Sequence, residues 1–211
     1  MSNTTFLGKV RSQNGFSHVS VNSTTGTETE TEIVDETGAV SALTFTRDAV
    51  TAEHGAGAIG TGAAPATYRW TDNGVIVTQI KIDLQGLASV ATANDVIGLS
   101  AGGVAYIGQN VVATNGVIYA IEMACIETPA GGDNDVNLVA NASAALEYDG
   151  AGGTTYGING GDAVAGQVVS NTVQGLTANH YFYLTAGTGD TAAAYTAGQF
   201  IITMYGHPVL S

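Results

Sequence analysis

Basic residues are scarce in this chain. Five Lys and Arg stand against 18 Asp and Glu among 211 residues, which gives a formal net charge of −13. Because binding to a phosphate backbone requires clustered Lys and Arg, we expect no nucleic-acid partner. An anionic membrane surface is excluded on the same ground. Charged residues make up only 11% of the chain and apolar residues 45%, a balance that argues against intrinsic disorder.

Cysteine, long apolar runs and a signal peptide are also missing or nearly so. Cys125 is the single cysteine, so no disulfide can form within the chain and nothing indicates an oxidising compartment. It lies in an apolar run, which predicts a buried thiol. No apolar run approaches the ~20 residues of a membrane span, and residues 1–5 lack the apolar start of a signal peptide. We therefore expect a protein that is made in the cytoplasm.

Helical periodicity is nearly absent, whereas short β-branched and aromatic runs recur. In residues 75–84 the even-numbered positions are mainly Ile and Leu, and the odd-numbered positions include Gln79, Lys81 and Asp83, which predicts a strand with one buried face. Residues 117–126 are apolar on both parities apart from Glu122, which predicts a strand covered on both sides.

Further strands follow at short intervals along the chain. Strong candidates are residues 181–184 and 200–205, and weaker ones are 16–21, 42–46, 67–70, 96–99, 104–107, 136–139 and 145–148. Many short strands at roughly 8–12-residue spacing are typical of sandwiches and barrels. We therefore predict an all-β protein with an antiparallel β-sandwich or jelly-roll-like domain, preceded by an extended N-terminal arm.

A change of composition divides the chain. Residues 1–63 are rich in Thr, Ser, Glu and Gly, and residues 64–211 hold most of the strong strands. We predict that residues 1–63 form an arm or small β extension with a Gly-rich linker at 51–64, and that 64–211 form a compact β domain. Within the first segment, residues 24–32 alternate Thr and Glu, which indicates either a solvated loop or edge strand or a contact with a basic partner.

Residues that would indicate catalysis or metal binding are sparse. The four histidines, at positions 18, 54, 180 and 207, show no paired spacing, and zinc signatures are absent. No Gly-x-Ser-x-Gly is present, and no Gly-rich run ends in the Lys-Ser/Thr that binds phosphate. A carboxylate pair for glycoside hydrolysis would have to come from Asp149 and Asp162. We therefore expect no catalytic, cofactor or metal site, and a structural or binding role rather than an enzyme.

One acidic segment keeps an alternative open. Residues 131–137 place Asp133, Asp135 and Asn137 at alternating positions, as in the first half of a calcium loop. An EF-hand then needs Gly and Glu where Leu138 and Ala144 stand, so that motif is excluded. A polar turn between strands and a looser calcium site of oxygen ligands are the two remaining interpretations.

Both ends of the chain resemble known proteins. Residues 4–16 read Thr-Thr-Phe-Leu-Gly-Lys-Val-Arg-Ser-Gln-Asn-Gly-Phe, and this start resembles that of virion structural proteins of marine tailed bacteriophages. Residues 175–184 and 195–206 are similar to the end of the same proteins. The resemblance covers about a sixth of the chain. It implies a virion structural protein, most like a capsid decoration (cement) protein on the outer surface of the head; head fibres and tail components are the other implied roles.

The resemblance also implies partners, namely the major capsid protein and further copies of the chain, as a homotrimer in preference to a homodimer. An arm of extended chain can add a strand to a neighbour's sheet edge. Phe6, Val10 and Phe16 are candidate apolar anchors, and Lys9 and Arg11 are candidate partners for acidic shell residues. A receptor-binding or carbohydrate-binding domain of a fibre is the alternative, and its candidate residues are exposed loop aromatics such as Tyr156 and Tyr195.

Overall fold

The computed structural model of the chain describes residues 17–21, 28–32, 49–50, 53–152, 161–172 and 176–209. The chain divides into two units, Met1–Thr46 and Arg47–Ser211. In the first unit, strands β1 (Ser17–Val21) and β2 (Glu28–Glu32) pair antiparallel, with Ser17 opposite Glu32 and Val21 opposite Glu28. Part of the Thr-Glu alternation therefore belongs to a strand.

The second unit contains two antiparallel sheets. Its strands are β3 (Ala49–Val50), β4 (Ala66–Asp72), β5 (Val75–Asp83), β6 (Gly108–Gln109), β7 (Val117–Ala130), β8 (Val136–Asn141), β9 (Val168–Thr172), β10 (Tyr181–Ala186) and β11 (Ala197–His207). Six strands form one sheet in the order β3-β4-β5-β11-β7-β9, and three form another in the order β6-β10-β8. Two short helices, a 3-10 turn at Ala56–Ala58 and α1 at Val112–Asn115, lie between strands.

The main core lies between the two sheets. The six-stranded sheet contributes apolar side chains such as Ile80, Met123 and Ile202, and the three-stranded sheet contributes Leu138 and Phe182. Packing of one face of each sheet against the other defines a β-sandwich. The predicted fold class, an all-β antiparallel sandwich, is confirmed.

The far face of the three-stranded sheet is also covered. Val139 and Tyr183 form a second buried cluster there with Val96 and Ala105, which come from connecting segments. Val96 pairs with Thr185 of β10 through an isolated bridge, so its segment lies beside β10 in the sheet and its side chain shares the face of Thr185. Side chains of connecting segments therefore bury part of the far face of β8 and β10.

The strong strand predictions are confirmed as strands, and the weaker ones divide. The strong predictions at 75–84, 117–126, 181–184 and 200–205 correspond to β5, β7, β10 and β11, and the weaker ones at 16–21, 67–70 and 136–139 correspond to β1, β4 and β8. Those at 96–99, 104–107 and 145–148 are wrong as strands, since these segments make only isolated bridges. The prediction at 42–46 lies outside the described residues. Strands β3, β6 and β9 were not predicted; β3 and β6 are two residues long, and β9 is five residues long with three polar residues.

The prediction that residues 117–126 are covered on both sides is wrong. Strand β7 buries Ile121, Met123 and Cys125 but exposes Val117 and Ile126. Its register with β11 shifts between Tyr205 and Gly206, where β7 carries one extra residue. A β-bulge of this kind changes which parity faces the core. The two apolar parities therefore reflect a bulge and an uncovered face.

The predicted domain boundary at 63/64 differs from the structure, which divides the chain after Thr46. The Gly-rich segment that the composition marked as a flexible linker packs against the β unit. Gly55 N donates to Tyr106 O and Gly57 N donates to Val104 O, both at 2.8 Å. A Cβ on Gly57 would lie 2.0 Å from Gly103 O. Glycine here permits close approach of two backbones rather than flexibility.

Candidate interaction surface

One face of the six-stranded sheet is turned away from the core, and we call it the outer face. Paired residues of adjacent strands share a face, so side chains form rows across β4, β5, β11, β7 and β9. One row is Trp70, Val77, Tyr205, Ala120 and Thr172; the next is Tyr68, Gln79, Thr203, Glu122 and Ser170; the third is Ala66, Lys81, Ile201, Ala124 and Val168.

Large apolar side chains are exposed on the outer face around β7 and β9. Val117 is 55% exposed, Tyr119 38%, Ile126 49% and Val168 55%. They are four of the six large apolar side chains that are exposed within the described ranges. Val117 and Tyr119 lie at the start of β7, and Ile126 and Val168 lie near each other toward its other end, so the face carries two exposed apolar groups. Exposed apolar side chains that are grouped, rather than scattered singly, mark interaction surfaces. This part of the outer face is therefore the strongest candidate for a contact with another protein.

The bulge in β7 sets the geometry of this patch. Tyr119 is the extra residue, and its ring stacks on His207 with a centroid separation of 4.5 Å and an interplanar angle of 17°. His207 is opposite Val117 across the strand pair. The patch thus ends in a flat aromatic surface that is open to solvent.

The aromatic side chains around β4 and β5 are less exposed. Val77 is only 5% exposed although it belongs to the outer face, where Trp70 and Tyr205 occupy the positions on either side of it. Burial raises the pKa of Tyr205, and the carboxylate of Glu122 raises it further. Tyr205 is therefore neutral near pH 7 and contributes an apolar ring with a polar tip.

Polar groups of the outer face are partly paired with one another. Gln79 Nε2 donates to Thr203 Oγ1, and Ser170 Oγ donates to Glu122 Oε2, each at 3.4 Å. Lys81 is the one basic side chain on this face within the described residues. The same register places the carboxylates of Asp72, Asp83, Glu122 and Glu127 on this face, so its charged groups are mainly acidic.

The sheet also has open edges. Strand β9 pairs only with β7 and strand β3 only with β4, as far as the described residues show. An edge strand presents unpaired N–H and C=O groups that can accept a strand from another chain. The exposed residue Val168 begins the β9 edge, so that edge continues the apolar patch.

A buried acidic turn lies elsewhere, at the start of β8. Asp133 is fully buried, and its Oδ1 accepts from Asp135 N at 2.9 Å while its Oδ2 accepts from Asp190 N at 3.2 Å. Tyr195 Oη donates to Asp133 O at 2.6 Å. Asp135 is 5% exposed, and burial raises its pKa, as do the carboxylates of Asp133, Asp162 and Asp190. Part of the predicted polar turn is therefore a packed structural element.

The other sequence candidates are dispersed. Tyr195 is 2% exposed and belongs to the core, so its proposal as an exposed loop aromatic is wrong; Tyr156 lies outside the described residues. Cys125 is buried as predicted, and burial raises its pKa. Asp149 interacts with Asp95 and Asp162 with Asp135, so each belongs to a different carboxylate pair.

The histidines of the described ranges do not gather. His54 Nδ1 lies 3.3 Å from Gly55 O, His180 Nδ1 is buried with no hydrogen-bond partner, and His207 stacks on Tyr119. No group of three or more His, Cys, Asp or Glu side chains that could hold a metal ion occurs in the part of the chain that the structure describes.

The predicted docking residues cannot be placed on this surface. Phe6, Lys9, Val10, Arg11 and Phe16 all lie outside the described residues. What sequence reasoning missed is the outer face itself. A signal for it was present, because the second apolar parity of residues 117–126 is the part of that face that is exposed.

Three depressions that are lined by described residues are small. A cavity of about 20 Å³ beside Cys125 is lined by Met123, Ala163 and Phe200, which is space for about one water molecule. Two shallow depressions of about 200 Å³ each lie beside Lys81 and beside Tyr181. Pockets for drug-sized ligands have volumes of about 300–1,000 Å³. A broad surface is therefore a better candidate for binding than any of these pockets.

Comparison with known proteins adds no relative. No protein-family model, no curated protein and no solved structure matches the chain. No helix within the described residues has the length and apolar character needed to cross a membrane.

Proposed function

We propose that this chain is a structural virion protein that binds the outer surface of a tailed-phage capsid and stabilises it as a decoration (cement) protein. The observation that carries the proposal is the exposed apolar surface of the outer face, formed by Val117 and Tyr119 at the start of β7 and by Ile126 and Val168 toward its other end. A grouping of this kind is expected of a subunit that adheres to its neighbours. The resemblance of both chain ends to phage virion proteins selects the capsid as the place of adhesion.

The partners are the major capsid protein and further copies of the chain. Copies associate through the outer face, as a homotrimer in preference to a homodimer, and the N-terminal arm docks on the shell through Phe6, Lys9, Val10, Arg11 and Phe16. Several modest contacts then act together, because oligomerisation makes the second and third docking events intramolecular. The net charge of −13 suits a protein that stays outside a shell filled with nucleic acid.

Deletion of residues 1–20 tests the docking arm. The deletion removes all five docking residues and leaves the unit Arg47–Ser211 intact. We expect an unchanged melting temperature for the β unit and a large loss of occupancy on the virus's own empty capsids, measured by quantitative gel analysis and cryo-EM. Equal decoration by the truncated and complete proteins would refute docking through the arm.

A second variant tests the outer face. Ile126→Ser combined with Val168→Ser makes the patch polar, and Val209→Ser is the matched control because Val209 is 63% exposed near the end of the described chain. We expect the double variant, but not the control, to lose oligomer mass in light scattering and to decorate capsids poorly. If the complete protein is a monomer at all concentrations that decorate capsids, self-association through this face is wrong.

A second candidate function is a receptor-binding or carbohydrate-binding domain of a phage fibre. The observation that favours it is the solvent-open stack of Tyr119 on His207, since flat aromatic surfaces are common in ligand sites. The location of the protein on the virion separates the two candidates. Labelling on a fibre or tail, together with glycan binding that Tyr119→Ala abolishes, would favour this function over capsid decoration.

A further inference from the structure

Three buried oxygen atoms without hydrogen-bond partners lie at neighbouring positions on the far face of the three-stranded sheet, the face that carries Val139 and Tyr183. They are Asp135 Oδ1, Asn137 Oδ1 and Thr185 Oγ1. Asp135 is 5% exposed, Asn137 4% and Thr185 0%. Most buried polar side-chain atoms in proteins have a partner, so three neighbouring exceptions need an explanation.

The strand register places these residues together. Asn137 pairs with Thr185, and residues two apart on a strand share a face, so Asp135 and Asn137 point to the same side. Gly187 follows as the position opposite Asp135, because Gly187 N donates to Asp135 O at 2.6 Å. A Cβ on Gly187 would lie 2.3 Å from Asp135 Cγ. The carboxylate of Asp135 therefore lies over Gly187, on the side of Asn137 and Thr185.

A second carboxylate approaches from the exposed side. Asp162 pairs with Asp135 through an antiparallel bridge, and Ala163 N donates to Asn134 O at 2.9 Å. Opposite residues share a face, so Asp162 lies beside Asp135. Asp162 itself is exposed, so this carboxylate lies where the group of buried oxygens borders solvent.

Basic side chains do not neutralise this pair within the described residues. Arg69 forms a bidentate ion pair with Glu53, and Lys81 lies on the outer face of the other sheet. Asp133 carries further negative charge, but its two oxygens already accept backbone N–H groups. Asp135 is therefore the buried carboxylate whose oxygen is left free.

We propose that Asp135, Asn137, Thr185 and Asp162 form a binding site for a divalent cation of the calcium type. The ligands are Asp135 Oδ1, Asn137 Oδ1, Thr185 Oγ1 and the Asp162 carboxylate, with water completing the shell. All are hard oxygen donors, and two carry charge, which suits calcium with its six to eight oxygen ligands. Zinc is disfavoured because the site has no His or Cys ligand.

A bound cation removes two unfavourable features of the cation-free arrangement. It supplies partners for three orphaned oxygens and neutralises two opposed carboxylates. Burial and the neighbouring carboxylates raise the pKa of Asp135, and a bound cation would lower it by supplying the counter-charge. The site lies on the three-stranded sheet, whereas the proposed adhesion surface is the outer face of the six-stranded sheet. The two are therefore independent.

The test is a titration of the complete protein, first treated with EDTA, with calcium chloride. We expect saturable heat in calorimetry and a melting temperature that rises by about 5–10 °C at a calcium concentration about 100 times Kd. Terbium should compete for the site and give tyrosine-sensitised luminescence. No heat, no luminescence and an unchanged melting temperature would overturn the proposal and leave a buried water or a protonated Asp135 as the explanation.

Variants locate the site. Asp135→Asn and Asp162→Asn should each lower calcium affinity at least tenfold, and Thr185→Val should lower it by a smaller factor. Asp72→Asn is the matched control, because Asp72 is an exposed carboxylate at the end of β4. Asp162 is exposed, so its variant folds even if that of Asp135 does not. Calcium binding that Asp162→Asn and Asp72→Asn affect equally would place the cation elsewhere and overturn the assignment.

Discussion

The hydroxyl group of Tyr195 stabilises the acidic turn around Asp133, and its removal tests how much this buried hydrogen bond contributes to stability. Tyr195 is 2% exposed, and its Oη donates to Asp133 O at 2.6 Å. The ring lies against Gly132, where a Cβ would be 2.6 Å from Tyr195 Cζ. Tyr195→Phe keeps the ring in place and removes only the donor, so Asp133 O is left buried without that partner.

The expected magnitude follows from this contact. Leaving a buried acceptor without its donor costs about 1–3 kcal/mol. For a protein of this size, 1 kcal/mol lowers the melting temperature by about 2–4 °C. We therefore expect Tyr195→Phe to melt about 2–12 °C below the parent protein, and urea unfolding to show a lower midpoint with an unchanged m-value.

The matched control is Tyr119→Phe, which removes a hydroxyl from a side chain that is 38% exposed. Water can replace a partner at such a position, so we expect a change within about 0.5 kcal/mol. The reasoning is refuted if the two variants melt at the same temperature, since the buried hydrogen bond would then contribute no more than a surface hydroxyl.

Two further predictions concern the tyrosine of the second cluster and the Gly-rich segment. Burial raises the pKa of Tyr183 to about 12 from an ordinary value near 10. Its contribution to stability is therefore present below pH 10 and is lost as pH rises from about 10 to 12. The melting temperature should fall less steeply with pH across this range for Tyr183→Phe than for the parent protein, and parallel curves would contradict this. Gly57→Ala should destabilise the protein by about 1–3 kcal/mol, because the added Cβ would lie 2.0 Å from Gly103 O. An unchanged midpoint of chemical denaturation would show that residues 53–62 act only as a linker.

Strand patterns were readable from the sequence where one face is buried and the strand is regular. In β5 the even-numbered residues Ile80 and Ile82 are buried and Lys81 is exposed, as alternation predicted. In β7 the same argument failed because Tyr119 is an extra residue in the register with β11. A bulge leaves no mark in hydropathy, so an apolar run on both parities could not be separated from a strand buried on both sides.

Composition is a poor guide to flexibility where glycine allows close packing of the backbone. Residues 53–62 look flexible in sequence, yet Gly55 and Gly57 donate backbone hydrogen bonds to residues 106 and 104. The partners are some 50 positions away, and their backbone groups have no signature in the sequence. The contacts of this segment group it with the β unit, which begins at Arg47 in the structure.

The acidic segment shows what spacing can and cannot supply. Asp133, Asp135 and Asn137 alternate in the sequence, and the spacing alone suggests three equivalent oxygen donors. Asp133 is instead occupied by backbone N–H groups of Asp135 and Asp190. Thr185 and Asp162, which complete the proposed cation site, are distant in the chain and become neighbours only through the pairing of β8 with β10 and of Asp135 with Asp162.

The low content of basic residues bears directly on the buried carboxylate of Asp135. A chain with 18 acidic and five basic side chains has few internal counter-ions, and the two in the described ranges lie at Arg69, paired with Glu53, and at Lys81 on the outer face. A buried carboxylate such as Asp135 must then be protonated, hydrated or balanced by a cation from solution. Its neighbours Asn137 and Thr185 offer uncharged oxygens that a proton on Asp135 cannot satisfy all at once. Because a cation satisfies all three oxygens and both carboxylates together, cation binding explains the arrangement with the fewest unpaired groups.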